Sequence, residues 1–489
     1  GYARVTGETG VVIATSGPGA TNLVTGIANA YLDSIPLVAI TGNVAVNLLG
    51  RDSFQEVDIV GITQPVVKHS YIVRDVKNLE FVISEAFALA SEGRKGPVLI
   101  DISKTAQREK CEYYGGYEIP KKPQPPLPDL EAALEAIANC KRPYIYCGGG
   151  VLASKAENEV LQLSELLSAP IGLSMMGLTA IPKSYELNLG MCGMHGLYAA
   201  NMAQHEADLM IAVGVRFSDR ATGNIAEYTK NCRVIHIDID EAEIGKNVPS
   251  VIELCGDAKI VVKGLLRRLK PYRNEDWVQR VLGFKGCEAA GDREAFVPAN
   301  ILRCVAEHHD TDTVVATDVG QHQMWVMQHY PFEKPGTLLT SGGLGTMGYG
   351  MGAAIGGCLA SDRRRTVLII GDGSFGMNLN EMATAVSQGL PLLIVLLNNG
   401  VLGMVRQWQT AFYEGRYSST TLNRKTDYVK LAQAFGGSGK TVYSLKELNE
   451  LLEGELPADG PFLIDCRIDS DEKVLPMIPP GGSVKDMLR

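Results

Sequence analysis

The chain has 489 residues, too many for one hydrophobic core, and a typical domain size of about 150 residues suggests three domains. With 45% hydrophobic and 21% charged residues, its composition is that of a globular protein and argues against extensive disorder. The net charge of -9 disfavours a nucleic-acid surface or an anionic-membrane anchor, because both need clustered Lys and Arg. No apolar run reaches the roughly 18 residues of a membrane-spanning helix, so we expect small-molecule chemistry.

The ten cysteines show no CxxC pair and no Cys/His spacing of the zinc-binding kind, which is typical of reduced thiols in an intracellular protein. We therefore expect a cytoplasmic location, and an organellar one in a eukaryote stays open. The chain starts with Gly1 inside GYARVTGETG and has no targeting segment, so we expect an upstream portion to be missing.

Apolar runs of strand length alternate with helix-length stretches along the chain. The runs are VVIATS (11–16), PLVAITG (36–42), PVLIDI (97–102), YIYCGGG (144–150), DLMIAVG (208–214), RVIHIDID (233–240), TVVATDVG (313–320), TVLIIGDG (366–373) and PLLIVLLNN (391–399). Runs that are apolar on both faces and separated by helices predict parallel strands with crossover helices on both sides. The predicted fold class is therefore α/β.

Two stretches have the composition of linkers. IPKKPQPPLPDL (119–130) contains five prolines, and residues 271–297 gain charge and lose strand-like runs. These linkers predict domains at residues 1–118, 125–275 and 290–489. The final LPMIPPGGSVKDML (475–488) is too rich in Pro and Gly for a core element and is predicted to be a tail or a lid.

The strongest chemical signal is GDGSFGMNLNEMATAVSQGLPLLIVLLNN (371–399). A buried strand ends in Gly-Asp-Gly, a helix follows, and the next strand ends in Asn-Asn, so both polar ends should meet at the carboxyl edge of neighbouring strands. Asp372 and Asn399 offer the oxygen ligands that Mg²⁺ takes together with phosphates. Gly371 and Gly373 let the backbone approach a diphosphate at the helix N-terminus. This order is the thiamine-diphosphate signature, and a GDG turn with a chance Asn-Asn is the alternative.

Two further segments support a cofactor site. TVVATDVGQHQMW (313–325) places Gly320, Gln321 and His322 directly after a strand. TSGGLGTMGYGMGAAIG (340–356) places a glycine-rich turn before a helix, as a phosphate or cofactor cradle would. GLGTMG alone is a weak nicotinamide motif, and that interpretation fails because RRRTVLIIG stands where an acidic residue should end the next strand.

These segments and others resemble the acetohydroxyacid synthase (acetolactate synthase) family. The resemblance is to the large catalytic subunit of the biosynthetic, FAD-containing type, and it extends over the whole length of the chain. The matching blocks are GYARVTG, TSGPGATN, DSIPLVAITG, FQEVDIVGIT, PVVKHS, GMHG, VGVRFSDRATGN, SGGLGTMGYG, GDGSF, NNGVLGMVRQWQ and VLPMIPPG. Trp408, Arg220 and the pair Phe54-Gln55 are similar to residues that shape the family's second-substrate pocket.

The resemblance implies three doubly wound parallel-sheet domains of the thiamine-diphosphate enzyme type. Residues 1–118 would be the pyrimidine-binding domain, 125–275 the FAD-binding domain and 290–489 the diphosphate-binding domain. Mg²⁺ would be held by Asp372, Asn399 and the backbone carbonyl of Val401, and Met347 would support the bent thiamine diphosphate. The other implied contacts of that cofactor are Gly320, Gln321, His322, Gly371, Gly373, Ser374, Gly403 and Met404.

The implied FAD contacts are Arg94, His195, Gly214, Arg216, Arg220, Asp238 and Asp257. Asp238 ends a predicted strand, where it could meet a ribose hydroxyl. Ser218 stands where the family usually has Asp in RFDDR, and Asn43 stands where Gln is usual. A central domain without flavin therefore stays an alternative.

The resemblance implies decarboxylation of pyruvate and transfer of the two-carbon unit to pyruvate or 2-ketobutyrate, which gives 2-acetolactate or 2-aceto-2-hydroxybutyrate in branched-chain amino-acid biosynthesis. FAD would have a structural role. Arg220 is predicted to bind the carboxylate of the second substrate, and Trp408 to contact the extra methyl group of 2-ketobutyrate. The other predicted catalytic or pocket residues are Gln55, Lys104, Phe54 and Met194.

The family's activating glutamate lies a few residues before the GYAR block, so we expect this chain alone to bind cofactors better than it turns over. The alternatives are a catabolic acetolactate synthase, a glyoxylate carboligase, a pyruvate oxidase and a non-enzymatic assembly partner. The resemblance also implies a homodimer or homotetramer with active sites between subunits, and a possible small regulatory subunit.

Overall fold

A computed structural model describes residues 1–120, 125–249, 251–287 and 292–489. The chain divides into two compact units, one made of Gly1–Gln124 with Ser341–Tyr349 and the other of Pro125–Thr340 with Gly350–Arg489. Three parallel sheets alternate with helices along the chain, which confirms the predicted α/β class. Among the described residues, no helix combines the length and the apolar composition that crossing a bilayer requires.

The first unit contains a four-stranded parallel sheet of order β1-β2-β4-β3. Its strands are β1 (Gly10–Ala14), β2 (Leu37–Asn43), β3 (His69–Val73) and β4 (Pro97–Ser103). Its helices are α1 (Tyr2–Thr6), α2 (Pro18–Asn22), α3 (Val24–Leu32), α4 (Ile59–Thr63), α5 (Leu79–Ser91) and α6 (Lys104–Arg108). Every residue of β4 is buried, as expected for a strand covered on both faces.

The glycine-rich loop Ser341–Tyr349 belongs to this first unit because Asp33 holds it there. The Asp33 carboxylate pairs with Arg4 at 2.9 Å and accepts the backbone N–H groups of Gly343 at 2.7 Å and Gly342 at 3.3 Å. We expected this loop to cradle a phosphate or cofactor. The N–H groups of these two glycines instead bind a carboxylate of the protein itself.

The second unit contains two six-stranded parallel sheets, and the first of them has the order β10-β9-β8-β5-β6-β7. Its strands are β5 (Pro143–Cys147), β6 (Ile171–Leu173), β7 (Asn188–Met191), β8 (Leu209–Val213), β9 (Arg233–Asp238) and β10 (Ile252–Cys255). The helices of this segment are α7 (Glu131–Asn139), α8 (Gly149–Ser154), α9 (Glu157–Leu167), α10 (Tyr198–Glu206), α11 (Asp219–Thr222), α12 (Ile225–Tyr228), α13 (Ala258–Leu266) and α14 (Glu275–Gly286). We call this six-stranded sheet the central sheet.

Helix α14 lies within residues 271–297, where the composition predicted a linker. Trp277 is only 2% exposed, and its indole N–H donates to the Pro143 carbonyl at 3.0 Å. Val281, one turn further, is fully buried. The stretch thus contains a regular helix, whose charged residues form its outer face while its inner face packs on the central sheet.

The second sheet of this unit has the order β12-β11-β13-β14-β16-β15, and we call it the C-terminal sheet. Its strands are β11 (Val315–Thr317), β12 (Leu338–Leu339), β13 (Thr366–Gly371), β14 (Leu392–Asn398), β15 (Ser438–Val442) and β16 (Phe462–Arg467). The helices are α15 (Pro298–Glu307), α16 (Gln321–His329), α17 (Tyr349–Ala360), α18 (Asp372–Asn378), α19 (Met382–Ser387), α20 (Gly403–Phe412), α21 (Tyr428–Ala434) and α22 (Leu445–Leu452). Strands β13 and β14 pair directly, so their carboxyl ends are adjacent.

Candidate active site

Two polar residues follow neighbouring strands at the carboxyl edge of the C-terminal sheet. Asp372 begins α18 directly after β13, and Asn399 follows β14. The backbone N–H of Asn399 hydrogen-bonds to the Asp372 carboxylate, so the two predicted metal ligands are in contact. Burial raises the pKa of the Asp372 carboxyl to about 6, although the Arg424 charge and the Asn399 N–H lower it. A cation bound here would stabilise this buried carboxylate.

The loop after Asn399 runs close over the same edge. The Asn399 Oδ1 atom accepts the N–H of Val401 at 3.1 Å, and Val401 is buried and pairs with Thr421 in an antiparallel bridge. Gly403 begins α20, and a Cβ atom there would overlap the Oε1 atom of Gln321. A side chain at position 403 would therefore displace the Gln321 amide.

The His322 ring packs between two glycines. A Cβ atom at Gly371 would lie 2.9 Å from its Nδ1 atom, and one at Gly320 would lie 2.9 Å from its Cε1 atom. Burial lowers the pKa of His322 to about 3, so the ring is neutral, and its Nε2 atom has no hydrogen-bond partner among the described residues. Next to it, Ser374 donates to the Gly371 carbonyl at 3.1 Å. An unpaired buried nitrogen between glycines is suited to a polar ligand.

These residues fit Mg²⁺ and a diphosphate. Asp372, Asn399 and the Val401 carbonyl are three hard oxygen donors from one strand edge, the kind that Mg²⁺ prefers. Within the described ranges, no three His, Cys, Asp or Glu side chains converge as a metal site would require. A site with one carboxylate, one carboxamide and one carbonyl needs no such group, because phosphate oxygens and water complete the octahedron.

Arg220 and Trp408, which the sequence assigned to one pocket, lie in contact. The guanidinium carbon of Arg220 is 5.7 Å from the centre of the Trp408 ring, within cation–π range. Trp408 lies on α20 and packs edge-on against Phe412 with ring centres 5.5 Å apart. The Arg220 side chain is 62% exposed, and its ion-pair partner Asp219 is 3.8 Å away. Most of its donors are therefore available to a ligand.

The C-terminal segment, predicted to be a tail or a lid, forms one wall of the cleft at Arg220. Ile478 donates its backbone N–H to the Met194 carbonyl at 2.7 Å. Met194 in turn contacts Arg220, with its sulfur 3.8 Å from Nη1. Ile478 and Pro479 line the same cleft as Met194 and Arg220. The predicted pocket residues Met194, Arg220 and Trp408 are thus brought together.

Glycines also shape the carboxyl edge of the central sheet. β5 and β8 are neighbours, and a Cβ atom at Gly148 after β5 would overlap the carbonyl oxygen of Gly214 after β8. A Cβ atom at Gly150 would lie 2.6 Å from the Gly214 Cα atom. Gly214 also has a φ of +58°, which favours glycine. The two backbone segments that leave β5 and β8 therefore pack on each other at this edge, without room for a side chain between them.

Two predicted flavin residues at this end of the unit are buried. His195 is 9% exposed, and its Nδ1 atom finds no hydrogen-bond partner in the part of the chain that the structure describes. Burial, reinforced by the charge of Arg220, lowers the pKa of His195 to about 4. Asp238 ends β9, accepts the Asp240 N–H at 2.9 Å, and has its pKa raised by burial. Both groups are costly to bury without a ligand.

The remaining predicted flavin residues of this unit have local structural roles. Arg216 follows Gly214, and its carbonyl accepts from the Asn247 side chain at 3.0 Å. Asp257 caps α13 by accepting the Ile260 N–H at 3.1 Å. Ser218, the departure from the family pattern, precedes α11 and makes no side-chain capping bond.

The first unit holds the other predicted residues. Arg94 donates from Nε to the Ser34 hydroxyl at 2.9 Å, and its guanidinium lies 5.9 Å from the centre of the Tyr31 ring. Lys104 begins α6, after Ser103 caps that helix. Met347 is 37% exposed within its loop.

The Phe54-Gln55 pair lies on an exposed loop of this unit. Phe54 is 88% exposed, and Gln55 has a φ of +58°. A Cβ atom at Gly17 would lie 2.9 Å from the Gln55 Cα atom, so Gln55 packs on the TSGPG turn. A large exposed aromatic next to a strained residue is typical of a binding loop.

The sequence interpretation missed the roles of two glycines and one glutamine. Gly148 and Gly150 were assigned only to a strand end, although three consecutive glycines after an apolar run are a signal for close backbone approach. Gln407 is 6% exposed and hydrogen-bonds to Gln321 at 3.0 Å. Nothing in the sequence around Gln407 indicated that its amide would be buried beside the cofactor edge.

Comparisons with known proteins agree with this geometry. Three family descriptions of the thiamine pyrophosphate enzymes match, the N-terminal TPP binding domain at residues 1–62, the central domain at 130–265 and the C-terminal TPP binding domain at 318–466. Fold and site thus define the class as a thiamine-diphosphate enzyme.

Individual relatives narrow this class. The acetolactate synthase isozyme 2 large subunit of Escherichia coli (strain K12) is 42% identical over 100% of this chain and 89% of its own length. The acetolactate synthase large subunit of Corynebacterium glutamicum is 42% identical, with 100% and 81% covered. Acetolactate synthase 2, chloroplastic, of Nicotiana tabacum is 42% identical, with 100% and 77% covered. The chain belongs to the acetolactate synthase large-subunit family.

Proposed function

We propose that this protein decarboxylates pyruvate and joins the two-carbon unit to the keto carbon of a second 2-keto acid, giving 2-acetolactate from pyruvate or 2-aceto-2-hydroxybutyrate from 2-ketobutyrate. This is the first common step of branched-chain amino-acid biosynthesis. Within the family assignment, the contact between Arg220 and Trp408 beside the cofactor edge is the observation that carries the proposal.

Thiamine diphosphate supplies the electron sink for the decarboxylation. Asp372, Asn399 and the Val401 carbonyl would hold Mg²⁺ against its diphosphate, while Gly371 and Gly403 let the backbone approach. Their proximity at one strand edge supports this assignment. The protein's contribution is to orient the reactants and exclude water.

Arg220 and Trp408 would select the second substrate. The planar guanidinium of Arg220 suits a carboxylate, and its donors face the cleft rather than a strong ion pair. With the carboxylate held there, the indole of Trp408 would meet the alkyl end, where an extra methylene is worth about 1–3 kcal/mol. Met194 and the tail residue Ile478 would close the cleft against water.

We also propose FAD at the carboxyl edge of the central sheet, in a structural role. The close approach of Gly148 to Gly214, the buried Asp238 and the Nδ1 atom of His195, which has no hydrogen-bond partner among the described residues, support a bound dinucleotide. The relatives are named large subunits, so we further propose a smaller partner subunit and a homodimer or homotetramer of this chain.

The test is product analysis. The protein, with any residues that precede Gly1 in its coding sequence, is incubated with pyruvate, Mg²⁺, thiamine diphosphate and FAD, with and without 2-ketobutyrate. We expect 2-acetolactate, and 2-aceto-2-hydroxybutyrate as soon as 2-ketobutyrate is present. Acetyl phosphate from pyruvate, or tartronate semialdehyde from glyoxylate, would overturn the proposal.

Arg220→Met tests the substrate role against a matched control. It should raise the KM for the second 2-keto acid by roughly tenfold or more, because a charge-assisted hydrogen bond is lost. Arg303→Met removes an exposed guanidinium from α15 and should leave the KM unchanged. Equal effects of the two changes would rule out this role for Arg220.

A further inference from the structure

A chain of buried carboxamides connects the C-terminal segment to the predicted cation site. Its central member is Gln407, which is 6% exposed and precedes Trp408 on α20. The backbone of Val474 binds both ends of this amide. Val474 donates its N–H to Oε1 of Gln407 at 2.8 Å, and Nε2 of Gln407 donates to the Val474 carbonyl at 3.0 Å.

The second member of the chain is Gln321, which is 4% exposed. Its Nε2 atom donates to Oε1 of Gln407 at 3.0 Å and to the carbonyl of Glu472 at 2.8 Å. Both hydrogens of that nitrogen are therefore used. The Oε1 atom of Gln321 is left to accept from Nδ2 of Asn399, at 3.3 Å.

Backbone groups fix the direction of this chain, beginning with Val474 at Gln407. A backbone N–H can only donate and a backbone carbonyl can only accept, so Val474 permits one orientation of the Gln407 amide. That orientation presents an oxygen to Gln321, whose nitrogen donates both to this oxygen and to the Glu472 carbonyl. Gln321 then presents its oxygen to Asn399, which must donate a hydrogen bond from its side-chain nitrogen.

The direction of the chain sets the orientation of Asn399, the proposed metal ligand. With Nδ2 committed to Gln321, Asn399 keeps Oδ1 for the other side, where it accepts the Val401 N–H at 3.1 Å. Mg²⁺ binds a carboxamide through oxygen and is repelled by the NH₂ group. If the Asn399 amide turned over, the same side chain would present hydrogens to the cation.

We propose that Gln407 is a positioning residue for the metal site: through Gln321 it holds the Asn399 carboxamide with its oxygen toward the cation. The proposal rests on the proposed function, since it assumes that Mg²⁺ binds at Asp372 and Asn399. A purely structural role, in which Gln407 only anchors the segment around Val474, predicts a loss of stability without a specific loss of Mg²⁺ affinity.

The first experiment uses Gln407→Met, which keeps the size of the side chain and removes both polar ends. Mg²⁺ is titrated at saturating thiamine diphosphate, and binding is followed by calorimetry rather than by turnover. We expect the Mg²⁺ dissociation constant to rise roughly tenfold, the lower end of the effect of removing an outer-shell partner. A dissociation constant within twofold of the unsubstituted protein would overturn the proposal.

Gln409→Met is the matched control on the same helix. Gln409 also uses its amide to bind backbone, with Nε2 donating to the Ser418 carbonyl at 3.0 Å, but it does not join the chain to Asn399. Its Mg²⁺ affinity should stay within twofold. A tenfold loss in this control as well would mean that loosening α20 is sufficient, which would contradict a role for the amide chain. Absence of Mg²⁺ binding to the unsubstituted protein would instead refute the proposed function.

A double substitution separates orientation from general loosening. In Asn399→Asp both terminal atoms of the side chain are oxygens, so turning the group over does not change what it presents to the cation. Adding Gln407→Met to Asn399→Asp should therefore leave the Mg²⁺ dissociation constant within twofold of that of Asn399→Asp alone. A further tenfold loss in the double variant would overturn the proposal.

Gln407→Glu serves if Gln407→Met does not fold. In its protonated form, which burial favours, it donates to the Val474 carbonyl and keeps an oxygen for the Val474 N–H and for Gln321, so the direction of the chain is kept. Its Mg²⁺ dissociation constant should not exceed that of the unsubstituted protein by more than about threefold. A tenfold increase would count against the proposal.

Discussion

The central sheet and the C-terminal sheet both have six parallel strands, yet they build their carboxyl edges in different ways. At the C-terminal sheet, the Asn399 backbone N–H donates to the Asp372 carboxylate and the Asn399 side chain donates to Gln321. At the central sheet, the edge is backbone brought together by glycines such as Gly148 and Gly214, with isolated polar groups beside it. The groups proposed to bind the cation are thus held in place by hydrogen bonds, whereas at the central sheet the buried Nδ1 atom of His195 has no hydrogen-bond partner among the described residues.

This difference suits the two ligands we propose. A small, hard cation needs few oxygens held in a fixed geometry, because Mg²⁺ tolerates little departure from an octahedron. A dinucleotide is long and binds mainly through contacts to its phosphates and sugars, for which accessible backbone is more useful than a rigid set of side chains. Substitutions at the two edges should therefore fail in different ways.

The largest effect is expected from Asp372→Ala. Loss of the only carboxylate among the predicted ligands should weaken Mg²⁺-dependent binding of thiamine diphosphate by roughly 100-fold or more, since even outer-shell partners are worth ten- to 100-fold. Calorimetry on the purified protein measures this. Asp459→Ala, at an exposed aspartate on a distant loop, should bind normally. Binding of Asp372→Ala with unchanged Mg²⁺ dependence would show that the cation lies elsewhere.

Gly148→Ala should destabilise the carboxyl edge of the central sheet. The added Cβ would overlap the Gly214 carbonyl, so we expect a loss of about 3 kcal/mol in the free energy of unfolding, the upper part of the range for overpacking, and loss of bound flavin. Urea unfolding and the flavin absorbance of the purified protein report these effects. Gly283→Ala in α14, where an added Cβ meets nothing within 4 Å, should be neutral or slightly stabilising. Full flavin content in Gly148→Ala would contradict the close approach.

His195 should make the stability of the flavin-free protein depend on pH. Its pKa in the folded protein is about 4, below the ordinary value of 6.5, so the unfolded chain binds more protons between these values. The stabilisation is present above pH 6.5 and is lost as the pH falls toward 4. We expect His195→Gln to remove about 2 kcal/mol of the decrease between pH 6.5 and pH 5.

Comparing the two proteins isolates this contribution. Other buried histidines, such as His322 with a pKa of about 3, titrate equally in both. The measurement is the free energy of urea unfolding at the two pH values. If the two proteins lose the same free energy on acidification, His195 is not the neutral buried group described above.

The smallest effect is expected at the cleft lined by Arg220, which contacts Trp408. Trp408→Leu should lower the preference for 2-ketobutyrate over pyruvate by roughly tenfold, because discrimination of one methylene by contact is worth about 1–3 kcal/mol. The ratio of the two products, with both substrates present, measures it. Phe412→Leu, which changes the neighbouring aromatic ring on α20, should shift the ratio far less. An unchanged ratio in Trp408→Leu would remove Trp408 from the substrate pocket.

The sequence by itself determined the parts of this protein that depend on local patterns. The long buried strands, among them β13 and β14, are continuous apolar runs, and the turn chemistry at Asp372 and Asn399 directly follows them. Short or polar strands such as β3, β12 and β15 were missed, since an edge strand does not need an apolar run. Helix α14 was missed because its charged face dominates its composition.

Only the tertiary structure decided how distant polar groups pair. Asp33 accepts the N–H groups of Gly342 and Gly343, in the loop that we expected to bind a phosphate or cofactor, and Gln407 joins Val474 to Gln321. Such pairings join residues that are far apart in the chain and become neighbours only when the strands and helices pack. A carboxamide in a sequence carries no record of whether it will face water or another amide, so the chain that orients Asn399 is visible only in the folded protein.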